Sequence, residues 1–71
     1  MSVRLRLRRF SPIDREYAIF EILDGDDVVL DVSLSDAGNY ELGVHESSSS
    51  RVLPLREVLG LIEEAQRRLG E

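Results

Sequence analysis

Between residues 3 and 45 the chain holds four runs in which apolar residues recur at every second position, each run closed by residues that turn a chain. After residue 53 that period gives way to a single helical stripe. A period of two places apolar side chains on one face of a strand, and that face must be covered. Strands first and one amphipathic helix last leave few ways to do so, and the simplest is a sheet with the helix laid on one face.

In the first run Val3, Leu5 and Leu7 alternate with Arg4, Arg6 and Arg8, and Ser11-Pro12-Ile13-Asp14 breaks it. The second, Glu16 to Leu23, sets Ala18, Phe20 and Ile22 against Tyr17, Ile19, Glu21 and Leu23. Asp24-Gly25 is a tight-turn signal. The third run, Asp27 to Leu34, sends Val28, Leu30, Val32 and Leu34 inward and Val29, Asp31 and Ser33 outward. Ser35 to Asn39 reads as a second hairpin loop, and the fourth run turns Tyr40, Leu42 and Val44 inward, with Glu41, Gly43 and His45 outward. These predict an antiparallel meander that the first strand extends.

Ser47 to Ser50 is a low-complexity connector, and Arg51-Val52-Leu53 leaves a short fifth strand open as an alternative. Pro54 suits a first helical turn. Leu55, Leu59, Ile62 and Leu69 follow helical spacing, with Val58 and Leu61 widening the stripe. Leu55, Leu59 and Ile62 are the residues expected to cover the sheet, so Leu59→Ala should cost about 2–5 kcal/mol. Glu63–Arg67 and Glu64–Arg68 have the spacing of helical ion pairs, and Gly70 is placed to end the helix. The expected architecture is α+β, one domain over residues 1–71: a four-stranded antiparallel sheet with one C-terminal helix packed on one face.

Charge is divided unevenly. Residues 1–15 carry five arginines against one aspartate, a net +4, while residues 16–71 carry four arginines against thirteen acidic residues, a net −9. A basic strand on an acidic body is expected to lie against its own protein, with Arg4, Arg6 and Arg8 opposite Glu21, Asp31 or Glu41. Cross-strand opposite charges contribute roughly 0.2–1 kcal/mol each. The net charge of −5 disfavours nucleic acid as a partner and favours a basic protein. Cysteine is absent, which removes disulfides and thiolate metal sites. The N-terminus has charges but no apolar core of a signal peptide, and no run is long enough to span a membrane, so a cytoplasmic protein is expected.

Signs of catalysis or cofactor binding are weak. Asp24-Gly25-Asp26-Asp27 has the acidity of a calcium loop, but Val28 and Val29 stand where a ligand and a glycine are needed. His45 is the only histidine, and Glu41, four residues back, is its one carboxylate neighbour in the pattern. Neither a nucleophile elbow nor a phosphate loop occurs. No cofactor, no metal and no enzyme activity are expected. The outer sheet face is the better candidate, because Tyr17, Ile19, Leu23 and Val29 lie there among acidic residues. The expected partner-binding set is Tyr17, Ile19, Glu21, Asp24, Asp26, Asp27, Val29, Asp31 and Glu41. It would serve either a protein partner or a homodimer, with a nucleic-acid-binding module that uses the N-terminal arginine strand as the third reading.

Phe20-Glu21-Ile22-Leu23-Asp24-Gly25, Leu30-Asp31-Val32-Ser33, Gly38-Asn39-Tyr40-Glu41-Leu42 and Leu53-Pro54-Leu55 follow one another in an order that resembles small immunity proteins of bacterial polymorphic-toxin and contact-dependent inhibition systems. The resemblance covers about three-quarters of the chain, from Glu16 to Leu69, and lies in strand lengths and turns. It implies an acidic cytoplasmic protein that covers the active site of a basic toxin partner. The arginine strand departs from a uniformly acidic surface.

Overall fold

The computed structural model of the chain describes residues 4–13, 18–45 and 51–70. Val3, Tyr17 and the serine run lie outside them. Four strands, β1 (Leu5–Phe10), β2 (Ile19–Asp24), β3 (Asp27–Leu34) and β4 (Tyr40–Val44), precede one helix, α1 (Leu55–Leu69). The strands form an antiparallel sheet in the order β1-β2-β3-β4, with α1 packed on one face, an α+β fold. Among the described residues Arg51–Pro54 is not a strand, so the sheet there has four.

Local chemistry sets both hairpins. Gly25 has φ +65°, while the next residue, Asp26, keeps an ordinary negative φ. That is the type II′ pattern, whose twist matches the flanking strands. In the second hairpin Gly38 has φ +87° and donates to the Ser35 carbonyl at 2.9 Å. Ser35 then bonds Asn39 twice: its backbone N–H donates to the Asn39 carbonyl, and its hydroxyl accepts from the Asn39 N–H. The helix starts after Pro54, which is extended and occupies the cap position rather than the first turn; its carbonyl accepts from Val58 at 3.1 Å. Glu57 in the first turn and Arg67 and Arg68 in the last complement the helix dipole.

The core has two parts. Leu5, Ile22 and Val29 form one cluster, packed by Leu53, Val58, Leu61 and Ile62; Phe20, Val32 and Ala65 form the other, packed by Ile62 and Leu69. The helix therefore docks through Val58, Leu61, Ile62, Ala65 and Leu69. Leu55 and Leu59, expected to be buried, are 69% and 50% exposed. The apolar stripe is wider than the contact, and two features choose its centre. Ala65 is small enough to let the helix approach Phe20 and Val32. Glu57 accepts the backbone N–H groups of Arg4 and Leu5, which ties the first turn to β1.

The alternation of β3 is also corrected. Its register with β2 shifts between Ile22 and Leu23, so Val29 is an extra residue against β2. The shift brings Val29 into the helix-side cluster and aligns Val28 with Leu23 and Arg6 on the opposite face. Leu23, on that face, is nevertheless fully buried.

These positions predict opposite outcomes for two truncations. Ile22→Ala removes a fully buried side chain and should lower stability by about 2–5 kcal/mol. Leu59→Ala acts on a half-exposed one and should stay within about 0.5 kcal/mol of the parent chain. Urea denaturation followed by circular dichroism measures both.

Candidate interaction surface

The two faces of the sheet carry different chemistry, and so do its two edges. On the face away from the helix, the register sets Arg8, Glu21, Asp31 and Gly43 in one row across all four strands. Arg8 donates to Glu21 at 2.7 Å. Asp31 bonds the ring of His45 at 2.8 Å. Gly43 makes the second contact possible: a Cβ there would stand 2.5 Å from the nearer Asp31 carboxylate oxygen. His45 is thus held by Asp31, not by Glu41.

The hairpin end of the sheet is a second charge cluster. The guanidinium of Arg4 donates to both oxygens of Asp24, at 3.0 and 2.7 Å, and Arg51 reaches the same carboxylate at 3.0 Å. Arg51 also reaches Asp27 at 3.3 Å, and Arg6 lies 3.7 Å from the fully exposed Asp26. The arginine strand is therefore matched within the chain, as its charge suggested. Two of the three expected carboxylates change, with Asp24 and Asp26 standing in place of Asp31 and Glu41. The hydrogen bond from Arg4 holds the Asp24 carboxyl below its usual range; partial desolvation opposes this, and the charges of Arg4 and Arg51 reinforce it.

On the helix side, Tyr40, Leu42 and Val44 face as the alternation indicated, in register with Leu34, Val32 and Leu30. The helix does not cover them. Its C-terminal end comes close to Tyr40, where a Cβ on Gly70 would lie 3.1 Å from the phenol oxygen, and its first turn is tied to β1. The helix thus crosses the sheet obliquely, and exposure climbs along β4 from 45% at Tyr40 through 53% at Leu42 to 73% at Val44. A groove of about 150 Å³ separates the two elements, lined by Val32, Tyr40, Glu41, Leu42, Ile62 and Gln66. Leu55 and Leu59 continue the same side of the helix as Ile62 and Gln66, at spacings of three and four residues.

The residues expected to bind a partner are dispersed. Tyr17 lies outside the described residues. Ile19 is half-buried, opposite Phe10 at the end of the arginine face. Glu21, Asp24 and Asp31 are engaged by Arg8, by Arg4 and Arg51, and by His45. Val29, at 8% exposure, is in the helix-side core and unavailable to an outer-face partner. Asp26, Asp27 and Glu41 stay exposed. The open apolar surface lies instead at β4 and the neighbouring side of α1. Its signal was present in the sequence: two helix leucines and three strand residues exceed what one helix can cover.

Among the described residues no group of three or more histidine, aspartate or glutamate side chains is arranged to hold a metal ion. No described helix is long and apolar enough to cross a membrane.

The Asp24 cluster predicts a pH dependence. A carboxyl whose folded-state pKa is depressed contributes stability above its unfolded value, about pH 4, and loses it as pH falls through the folded value. Asp24→Asn is expected to lower the thermal midpoint at neutral pH. Its difference from the parent chain should shrink to nothing in strong acid, where the carboxyl is neutral in both states. Thermal scans of both proteins from neutral pH downward check this.

In comparison with known proteins, no family model, no curated protein and no solved structure matches this chain.

Proposed function

We propose that this chain is a non-enzymatic protein-binding domain. The open apolar edge carries the reading: Tyr40, Leu42 and Val44 on β4 and Leu55 and Leu59 on α1 stand exposed, and Tyr40 and Leu42 line the groove between strand and helix. A domain of this length buries only about 60% of its unfolded surface. Apolar area left in water forgoes about 25 cal/mol per Å². Grouped exposure of this kind on a small domain is the mark of a surface that a partner completes.

The more specific form of the proposal is an immunity-type inhibitor acting in a bacterial cytoplasm against a basic toxin domain. The net charge of −5 supports it, as do the exposed carboxylates of Asp26, Asp27 and Glu41. These would steer a basic partner towards the molecule, while the apolar edge holds it. The internal pairing of Arg4, Arg6 and Arg8 supports a protein partner over nucleic acid, because a phosphate would compete with carboxylates already in place.

A photoreactive phenylalanine derivative in place of Leu42 tests the reading in the cells that make the protein. The expected result is a covalent adduct with protein that disappears when Leu59→Arg is added. Absence of any protein adduct, from position 42 and from position 59 alike, would overturn it.

A further inference from the structure

The two edges of the sheet differ in how they meet other strands. At the start of β1 the N–H groups of Arg4 and Leu5 are taken by Glu57, and the strand itself carries three arginines, Arg6, Arg8 and Arg9. Charge and an occupied backbone are the usual means of keeping an edge from pairing. β4 carries a single charge, Glu41, and neither arginine nor lysine. Its side chains are Tyr40, Glu41, Leu42, Gly43 and Val44, and no described segment pairs with its outer edge. The ladder to β3 is bracketed by Ser35 N–H to the Asn39 carbonyl and His45 N–H to the Val29 carbonyl. Alternation then turns the backbone groups of Glu41 and Gly43 towards β3 and those of Tyr40, Leu42 and Val44 outward.

We infer that β4 pairs antiparallel with β4 of a second copy, about a two-fold axis at Leu42, joining two sheets into one of eight strands. This rests on the reading of the β4 edge as a protein-binding surface and names a second copy as its occupant in place of a foreign partner. Leu42 is the centre of the five-residue strand, so this register pairs all five positions. It sets Leu42 against Leu42 of the second copy and Tyr40 against Val44 of the second copy, with their outward backbone groups bonding reciprocally. The Tyr40 end, which the helix terminus approaches, thereby meets the most open end of the other strand. On the opposite face each Glu41 falls against Gly43, so no two carboxylates are directly opposed. The diagonal neighbours of each Glu41 are His45 of the second copy, which can hydrogen-bond to it, and Glu41 of the second copy. A two-fold axis normal to the sheet keeps both helices on one face, where Leu55 and Leu59 flank the joined strands. A foreign strand would need its own matching alternation; the second copy supplies it by symmetry.

Sedimentation equilibrium of the full chain at increasing concentration is the first test. The expected result is a dimer that dissociates on dilution to the 8.1 kDa of one chain. Leu42→Arg and Leu42→Glu should each be folded by circular dichroism and monomeric, because each places two like charges across the axis. Mixed together they should recover the dimer mass, because the two charges then oppose each other. As a readout that tolerates any fault in those variants, Leu42→Cys should oxidise to a covalent dimer faster than Val52→Cys, a more exposed control in a chain otherwise free of cysteine. A parent chain that stays monomeric at all concentrations would overturn the inference. So would a dimer that survives Leu42→Arg, or equal oxidation rates at the two cysteines. If the parent is monomeric but position 42 crosslinks to a different protein, the second copy is excluded and the binding reading stands. If it crosslinks to nothing, both fall.

Discussion

A helix is about 10 Å across with its side chains, whereas four strands spaced at about 4.8 Å present a face roughly 15 Å wide before their side chains are counted. One helix therefore cannot close a four-stranded sheet, and where it lies decides which part stays open. Here it is anchored at its first turn to β1 by Glu57 and lies close over Phe20 and Val32 through Ala65. That placement seals β1 to β3 and leaves β4 bare on the same face. Arg68, over the Phe20 ring at 4.7 Å, helps cover the far end of the sealed part. The apolar edge is thus a consequence of how the core is closed.

The charges have a complementary role. Arg4, just before the first strand, and Arg6 and Arg8 within it pair with carboxylates of the second strand and of the first hairpin turn, so a strand that looked like a basic patch becomes an internal seam. Exposed pairs of this kind contribute little each, with a median of about 0–1 kcal/mol. Their larger effect is to fix register and to occupy the edge at β1. Asp24 is the most connected of these carboxylates, linking β1, the first hairpin and the segment leading into the helix through Arg4 and Arg51. Asp26 and Asp27 stay exposed despite their contacts with Arg6 and Arg51, and together with Glu41 and the net charge of −5 they are the basis for reading any foreign partner as basic.

Most of the fold was legible along the chain, because its determinants are local. Gly25 and Gly38 adopt the positive φ that their turns require, and the alternations of β1, β2 and β4 place residues on the faces that were expected. The helix runs over the expected residues and ends at Gly70. The candidate site was less legible. Ile19 does lie on the face opposite the helix, yet the apolar companions assigned to it do not form a patch there: Leu23 is buried and Val29 belongs to the core. An inserted residue in a strand moves every side chain beyond it to the other face, and a run such as Val28-Val29-Leu30 carries no mark of where the insertion falls.

The order of residues by itself determined four strands, two tight hairpins, one amphipathic helix and a basic strand fitted to an acidic body, since turn chemistry, period and charge act between near neighbours. Only the tertiary structure decided the bulge at Val29, the rotation of the helix about its stripe, and the choice of Asp24 and Asp26 as partners for Arg4 and Arg6. Each of these depends on contacts between segments far apart in the chain. Leu55 and Leu59 have the same spacing and hydropathy whether buried or exposed. Glu57 reaching back to the start of β1 is what turned them outward, because a helix pinned at one end can bury only the side that the pin leaves facing the sheet.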